Sequence, residues 1–341
     1  MRPYLPLFQN PHALTVLGNF WPRTYDWAPF PMSSHLYRTD PDTQVLVHTQ
    51  APTTSQPLGE VILLHGLEGG GDSGYIVSMA WDALQAGYIA HRFHMRSCGN
   101  TAHLCKTLYH AGLTADLRSF IEQRRAAGST LPIYLIGYSL GANVALKLAG
   151  ELGDNDLIQG AVAISAPLDL AACSERMGKL DNRIYERRFV KRMKARILST
   201  GRYTPAEIDP LNTLWEIDDL ITAPSFGFGN AANYYATQSC KIFLDRIRVP
   251  ALIVQAKDDN IQNTLGECVA AMFASQLYNE RAGEGPGTIY GAVTTGSQWR
   301  FLKLERRTVT FRRAELTINH PGQILAALIV GVGDPSALSK E

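Results

Sequence analysis

One pentapeptide constrains the fold of this chain more than any other stretch: Gly137-Tyr138-Ser139-Leu140-Gly141. The apolar run Ile133-Tyr134-Leu135-Ile136 leads into it, and Ala142-Asn143-Val144-Ala145-Leu146-Lys147-Leu148-Ala149 leads out. The first has the pattern of a buried strand and the second that of a helix. A serine flanked by glycines between strand and helix allows a turn so sharp that the hydroxyl stands clear of the backbone, while the two elements pass closely. A serine hydroxyl is a poor nucleophile without exposure, a base and donors for a developing oxyanion. The pentapeptide supplies the exposure. In the plainer alternative Ser139 only caps the helix that follows, but the strand before it favours the turn.

The surrounding pattern agrees with such a turn. Val61-Ile62-Leu63-Leu64 reads as a buried strand that stops at His65-Gly66, and a glycine-rich loop follows to Gly74. Helical stretches at Tyr75–Ala86, Leu113–Ala127 and Asn143–Leu152 alternate with apolar runs at 88–93, 133–136 and 160–164. Strand and helix in this rhythm predict a mostly parallel sheet covered by helices on both faces. The rhythm lapses between Pro167 and Pro250 and resumes at Ala251-Leu252-Ile253-Val254-Gln255. The expected organisation is a lead-in over 1–57, with a short strand at 44–48, and one α/β domain over 58–341. A helical cap is inserted at about 167–249. Within the cap, Arg183–Arg196 carries Tyr185, Phe189 and Met193 four apart among Arg and Lys, the pattern of an amphipathic helix. Its basic face suits solvent first, and a membrane surface or an acidic substrate as the alternative.

Composition narrows the partners. The formal net charge of +1 over 341 residues offers no basic excess for nucleic acid. The first residues lack the apolar core of a secretory signal, and the longest late apolar run, Ile324–Val330, is far shorter than the roughly 20 residues that span a bilayer. Five cysteines, widely spread, give no disulfide framework. A soluble cytoplasmic protein with reduced thiols is expected.

For the oxyanion, the backbone N–H after the nucleophile belongs to Leu140, and His65-Gly66-Leu67-Glu68-Gly69 stands where the second donor is expected, on Leu67. No Lys-Ser/Thr follows Gly69-Gly70-Gly71, so a phosphate loop is excluded. Triad order in this kind of fold is serine, acid, histidine. Asp258-Asp259 follows the strand that resumes after the cap, in the place of the acid. Only His320 comes after it, which makes His320 the base by elimination. Two other accounts of the base stay open: a tail read in a different frame around 292–297, or a lost base on a scaffold that only binds. A third function class, a metal-dependent hydrolase, would draw on His91, His94, Cys98, His103, Cys105 and His110, but their spacings match no standard ligand pattern.

Taken together, HGLEGGGDSGY (65–75), FHMRSCGNT (93–101), GYSLGANVALKL (137–148), ISAPLDLAACSERM (164–177), WEIDDLITAPSFGF (215–228) and PALIVQAKDD (250–259) resemble the YheT-like family of α/β-hydrolases. NPHALTVL (10–17) resembles the Asn-Pro-His stretch near that family's start. The resemblance implies the α/β-hydrolase fold and a serine esterase, a carboxylesterase acting on small-molecule or lipid esters, with no cofactor and no metal. Register with the family's acid turn selects Asp259 over Asp258. Residues 260–341 depart from the family: no Gly-Gly-His follows Asp259, and His320 stands before a proline the family does not place there.

Overall fold

The computed structural model describes residues 24–256 together with four strand segments, 289–294, 298–305, 308–311 and 316–317. Its centre is a run of strands that are apolar on both faces. Strands β1 (Met32–Asp40), β2 (Thr43–Gln50), β3 (Glu60–Leu64), β4 (Ile89–Phe93), β5 (Ile133–Tyr138), β6 (Gly160–Ile164) and β7 (Ala251–Ala256) are followed by β8 (Ile289–Thr294), β9 (Gln298–Glu305), β10 (Thr308–Phe311) and β11 (Leu316–Thr317). They form one sheet in the order β1-β2-β4-β3-β5-β6-β7-β8-β9-β10, with β11 on β9. From β4 to β8 every neighbouring pair is parallel; the pairs at either end are antiparallel.

Alternate side chains of the central strands enter separate cores, which is why these strands read as continuous apolar runs. Ile62, Leu64 and Leu135 pack with helix α2 (Ala115–Ala126) and helix α3 (Leu140–Leu152). Val61, Leu63, Ile136 and Val162 pack on the opposite face with helix α1 (Gly74–Gln85). The register sets Leu64 beside Gly137 and Tyr138 beside Ile164. The carboxyl ends of β3, β5 and β6 therefore open at one edge, the usual place for a site in a parallel sheet.

Two readings of the sequence shift. The lead-in holds a second strand: β1 pairs antiparallel with β2 and extends the sheet. Most β1 side chains are exposed, so its sequence carries no apolar alternation; backbone pairing with β2 places it, helped by Tyr37 on Phe120 and Thr39 on Asp116. The amphipathic helix of the insertion is real, as α5 (Arg183–Ser199) after α4 (Leu170–Met177). Its buried stripe, however, is Glu186, Val190, Met193 and Ile197. Tyr185 and Phe189 flank that stripe and are only half-buried. Between β6 and β7 the chain is helical turn after helical turn, including a π-helical turn at Asp218–Thr222 and helix α6 (Ala231–Gln238), with no strand. Val190, Met193 and Ile197 form a core of their own with Ile208, Leu211, Leu214, Ile217, Ile221 and Leu108.

Candidate active site

Ser139 sits between β5 and α3 at φ 51°, ψ −119°. An L-residue is strained there, and the surrounding structure must hold it. Its N–H donates to the Ile164 carbonyl at 2.8 Å, and its own carbonyl accepts from Ala142 N–H at 2.9 Å. The glycines make the turn possible. A Cβ on Gly137 would lie 2.3 Å from the Gly141 carbonyl oxygen, and one on Gly141 would lie 2.5 Å from that of Leu64. Strand β5, helix α3 and the end of β3 thus approach more closely than any side chain permits.

The loop after β3 folds over this turn. A Cβ on Gly66 would lie 3.2 Å from the Ser139 Cβ, so the loop backbone rests on the serine. Gly69 N–H closes a turn onto the Gly66 carbonyl at 3.0 Å, and Gly66 N–H donates to the Tyr75 hydroxyl at 3.0 Å. His65 is fully buried and works as a fixture of this loop: Nδ1 bonds the Gly66 carbonyl at 2.8 Å and Nε2 accepts from Met95 N–H at 3.1 Å. Burial pushes its pKa down to about 4, so it stays neutral. Neither Leu67 N–H nor Leu140 N–H has a hydrogen-bond acceptor among the described residues. Two unused donors thus flank Ser139.

A cavity of about 140 Å³ opens beside Ser139, walled by Leu67, Leu140, Leu170, Met177, Phe189 and Met193. Two polar groups in its wall, Arg196 and Asp218, escaped the sequence reading, and a third, His110, was considered there only as a metal ligand. Arg196, from α5, bonds Glu68 Oε1 through Nε at 2.9 Å and Nη2 at 2.6 Å. Asp218 accepts from the Tyr235 hydroxyl at 2.7 Å, and burial pushes its carboxyl up to about 6. His110 is packed edge-on against Phe226, Phe228 and Tyr234, and burial pushes its pKa down to about 3. Asp218 stands beside Asp219 and two positions from Glu216, so no local pattern singled it out.

Asp258, Asp259 and His320 lie outside the described residues. The middle His and Cys residues do not converge as a ligand set among the described residues. His91 bonds Glu60 and Thr49, and Cys105 accepts from Ser97 N–H. A different trio, His48, Asp72 and His94, brings its ligand atoms within 4.8 Å of one another. Its chemistry opposes a metal. Gly71 N–H donates to His94 Nδ1 at 3.3 Å, which assigns the ring proton to Nε2 and leaves no lone pair there. Asp72 is already paired with Arg92 at 3.1 Å.

A family model described as serine aminopeptidase, S33, matches residues 55–281. The Escherichia coli (strain K12) protein YheT, provisionally named an esterase, is 31% identical over 75% of this chain and 77% of its own length. The chain belongs to the YheT-like family of α/β-hydrolases. The embryogenesis-associated protein EMB8 of Picea glauca is 27% identical over 78% of this chain, and the monoacylglycerol lipase of Saccharomyces cerevisiae (strain ATCC 204508 / S288c) is 29% identical over 59% of it. The chain spans 62% and 48% of those two proteins. As a YheT-like protein it carries the serine turn after β5, the histidine-glycine loop after β3, and helices between β6 and β7. No helix among the described residues is long and apolar enough to cross a membrane.

Proposed function

We propose that this YheT-like protein is a serine hydrolase that cleaves carboxylic esters through a covalent acyl-enzyme, with Ser139 as nucleophile. One observation carries the reading: two backbone amides without acceptors among the described residues, Leu67 and Leu140, stand on either side of a serine held in a strained, exposed turn. Ser139 Oγ attacks the ester carbonyl while its proton passes to an imidazole, assigned to His320 and oriented by Asp259. The carbonyl oxygen gathers negative charge against the two amides. The imidazole returns its proton to the departing alcohol, and water then releases the acid by the same steps. The helical insertion acts as a cap over the acyl pocket.

The apolar cavity wall supports an acyl chain as the bound group. The names of the relatives, an esterase and a monoacylglycerol lipase, support an ester of a lipid-type alcohol. The four described cysteines are all free, in keeping with a cytoplasmic enzyme. A fluorophosphonate probe tests the reading. The parent chain is expected to label, Ser139→Ala to lose labelling entirely, and His320→Ala to lose all but a trace. A parent chain that does not label refutes the enzyme and leaves a binding protein on this scaffold. Labelling that survives His320→Ala moves the base elsewhere.

A further inference from the structure

The cavity wall contains one guanidinium that already commits three of its five N–H donors to neighbouring side chains. Arg196 reaches from α5 into the loop after β3, where Nε and Nη2 both end on Glu68 Oε1 and Nη1 reaches Ser97 Oγ at 3.3 Å. One face of the guanidinium lies over the Tyr109 ring, 4.5 Å from its centroid. Both partners are buried, with side-chain exposures of 11% for Arg196 and 5% for Glu68. A substrate anion would have to compete with all of these contacts, so Arg196 is poorly placed to bind one.

What the contacts hold is a backbone conformation. Glu68 is the third residue of the turn closed between Gly66 and Gly69, and its φ is 56°. Turns of that shape take glycine at this place, because a side chain is strained there. Glu68 stays in it through three anchors: its carboxylate on Arg196, the same carboxylate within 3.4 Å of the Tyr109 hydroxyl, and its N–H on that hydroxyl at 2.8 Å. Relaxing Glu68 to negative φ flips the Leu67–Glu68 peptide and remakes the turn between Gly66 and Gly69, and the Leu67 amide, one peptide earlier in the same turn, must readjust with it. That amide is the donor assigned to the oxyanion.

We propose that Arg196 is a positioning residue for the reaction at Ser139: through Glu68 it makes the oxyanion loop's working shape depend on the helical insertion being docked. The inference rests on the acyl-transfer reading given above. When α5 is seated, Arg196 keeps the Leu67 N–H aimed at the place where the carbonyl oxygen becomes negative. When α5 lifts, that donor loses its fixed aim and the buried Glu68 carboxylate loses its counter-charge. Cap closure and assembly of the oxyanion hole become a single event.

The test uses the full chain and hydrolysis of p-nitrophenyl butyrate, with inhibition by a trifluoromethyl ketone whose adduct places an oxyanion in the hole. Arg196→Met is expected to lower kcat by about 10- to 100-fold, the scale of a donor misplaced by an ångström, with KM within about threefold. Ketone affinity should fall by the same factor as kcat/KM. Arg196→Lys is expected to recover part of the loss. The double variant Glu68→Gln with Arg196→Met leaves no uncompensated buried charge and safeguards folding; it is expected to remain slow. Arg196→Met with kcat within twofold of the parent overturns the role, as does a double variant with parental kcat, because charge neutrality would then suffice. A raised KM at unchanged kcat also overturns it, in favour of direct substrate contact. A parent chain that neither hydrolyses the ester nor reacts with fluorophosphonate refutes the serine-hydrolase reading itself, and this role with it.

Discussion

At Ser139 the chain keeps a backbone conformation that a glycine would adopt without strain, at φ 51°. Strain of this kind costs about 1–3 kcal/mol and is retained where function needs it. Ser139→Gly is therefore expected to abolish probe labelling and to raise the unfolding free energy by about 1 kcal/mol, read from the midpoint of a urea titration. Gly141 gives the opposite result. A methyl there meets the carbonyl oxygens of Leu64 and His65 at 2.5 and 2.6 Å. Because both are backbone atoms of a buried strand end, Gly141→Ala is expected to cost about 3 kcal/mol or more, read in the same titration. At this scale the sequence was informative where the constraint is local. The turn at Ser139 and the loop that carries Leu67 were legible as structure because a strand-turn-helix pattern and a His-Gly step mark them. Glu68, Tyr109 and Arg196 were not, since a pairing across 128 positions leaves no mark in the residues around either end.

Among the elements, β3, β4 and α2 are tied together by one carboxylate. Glu60 is wholly buried at the start of β3. It accepts from His91 Nε2 on β4 at 2.8 Å, from Arg124 Nε and Nη2 on α2 at 3.0 Å each, and from the Ser129 hydroxyl. Burial alone would raise its pKa, but the donors from His91, Arg124 and Ser129 outweigh it and hold the carboxyl well below its ordinary 4.5. A folded-state pKa below the unfolded one contributes stability above the unfolded value and loses it as pH falls. Glu60→Gln is thus expected to lower the unfolding free energy by about 3 kcal/mol at pH 7, with the gap to the parent narrowing as pH drops below about 4. Urea titrations at a series of pH values check this. Elements with two buried faces, such as β3, β5 and β6, were readable as apolar runs. Strand β1 was not, because its side chains are mostly exposed and its pairing lies in backbone groups that every residue shares. The stripe of α5 was misplaced by part of a turn, since Tyr185 and Phe189 outweigh Val190 in a pattern count although the fold buries Val190.

The whole molecule is assembled from packing units of unequal anchorage. The sheet carries a core on each face. Around α5 the insertion has its own smaller one, which meets the rest through Leu108 and Leu67, whereas Leu170, Ala223, Tyr234 and Tyr235 join the sheet's own core. Units that bury less against their neighbours open at lower free energy than the global unfolding step. Hydrogen exchange followed by mass spectrometry is expected to show α5 exchanging through a partial opening while β3, β5 and β6 exchange only on global unfolding. Arg196→Met should speed exchange in α5 and in 66–69 together and leave β5 unchanged. Equal protection of α5 and β5 would mean that the insertion and the sheet form one cooperative unit.

The Glu68–Arg196 pair also imposes an order in time. A ribosome adds about 5–20 residues per second, so the 128 positions between the two correspond to roughly 6–26 s of synthesis. Throughout that interval the nascent chain holds the glycine-rich loop and, for a little under half of it, the serine turn, with no counter-charge for Glu68. Residue 68 cannot sit desolvated and ionised while it waits. The loop must stay open to water until α5 emerges, so the candidate site cannot mature before residue 196 has been made.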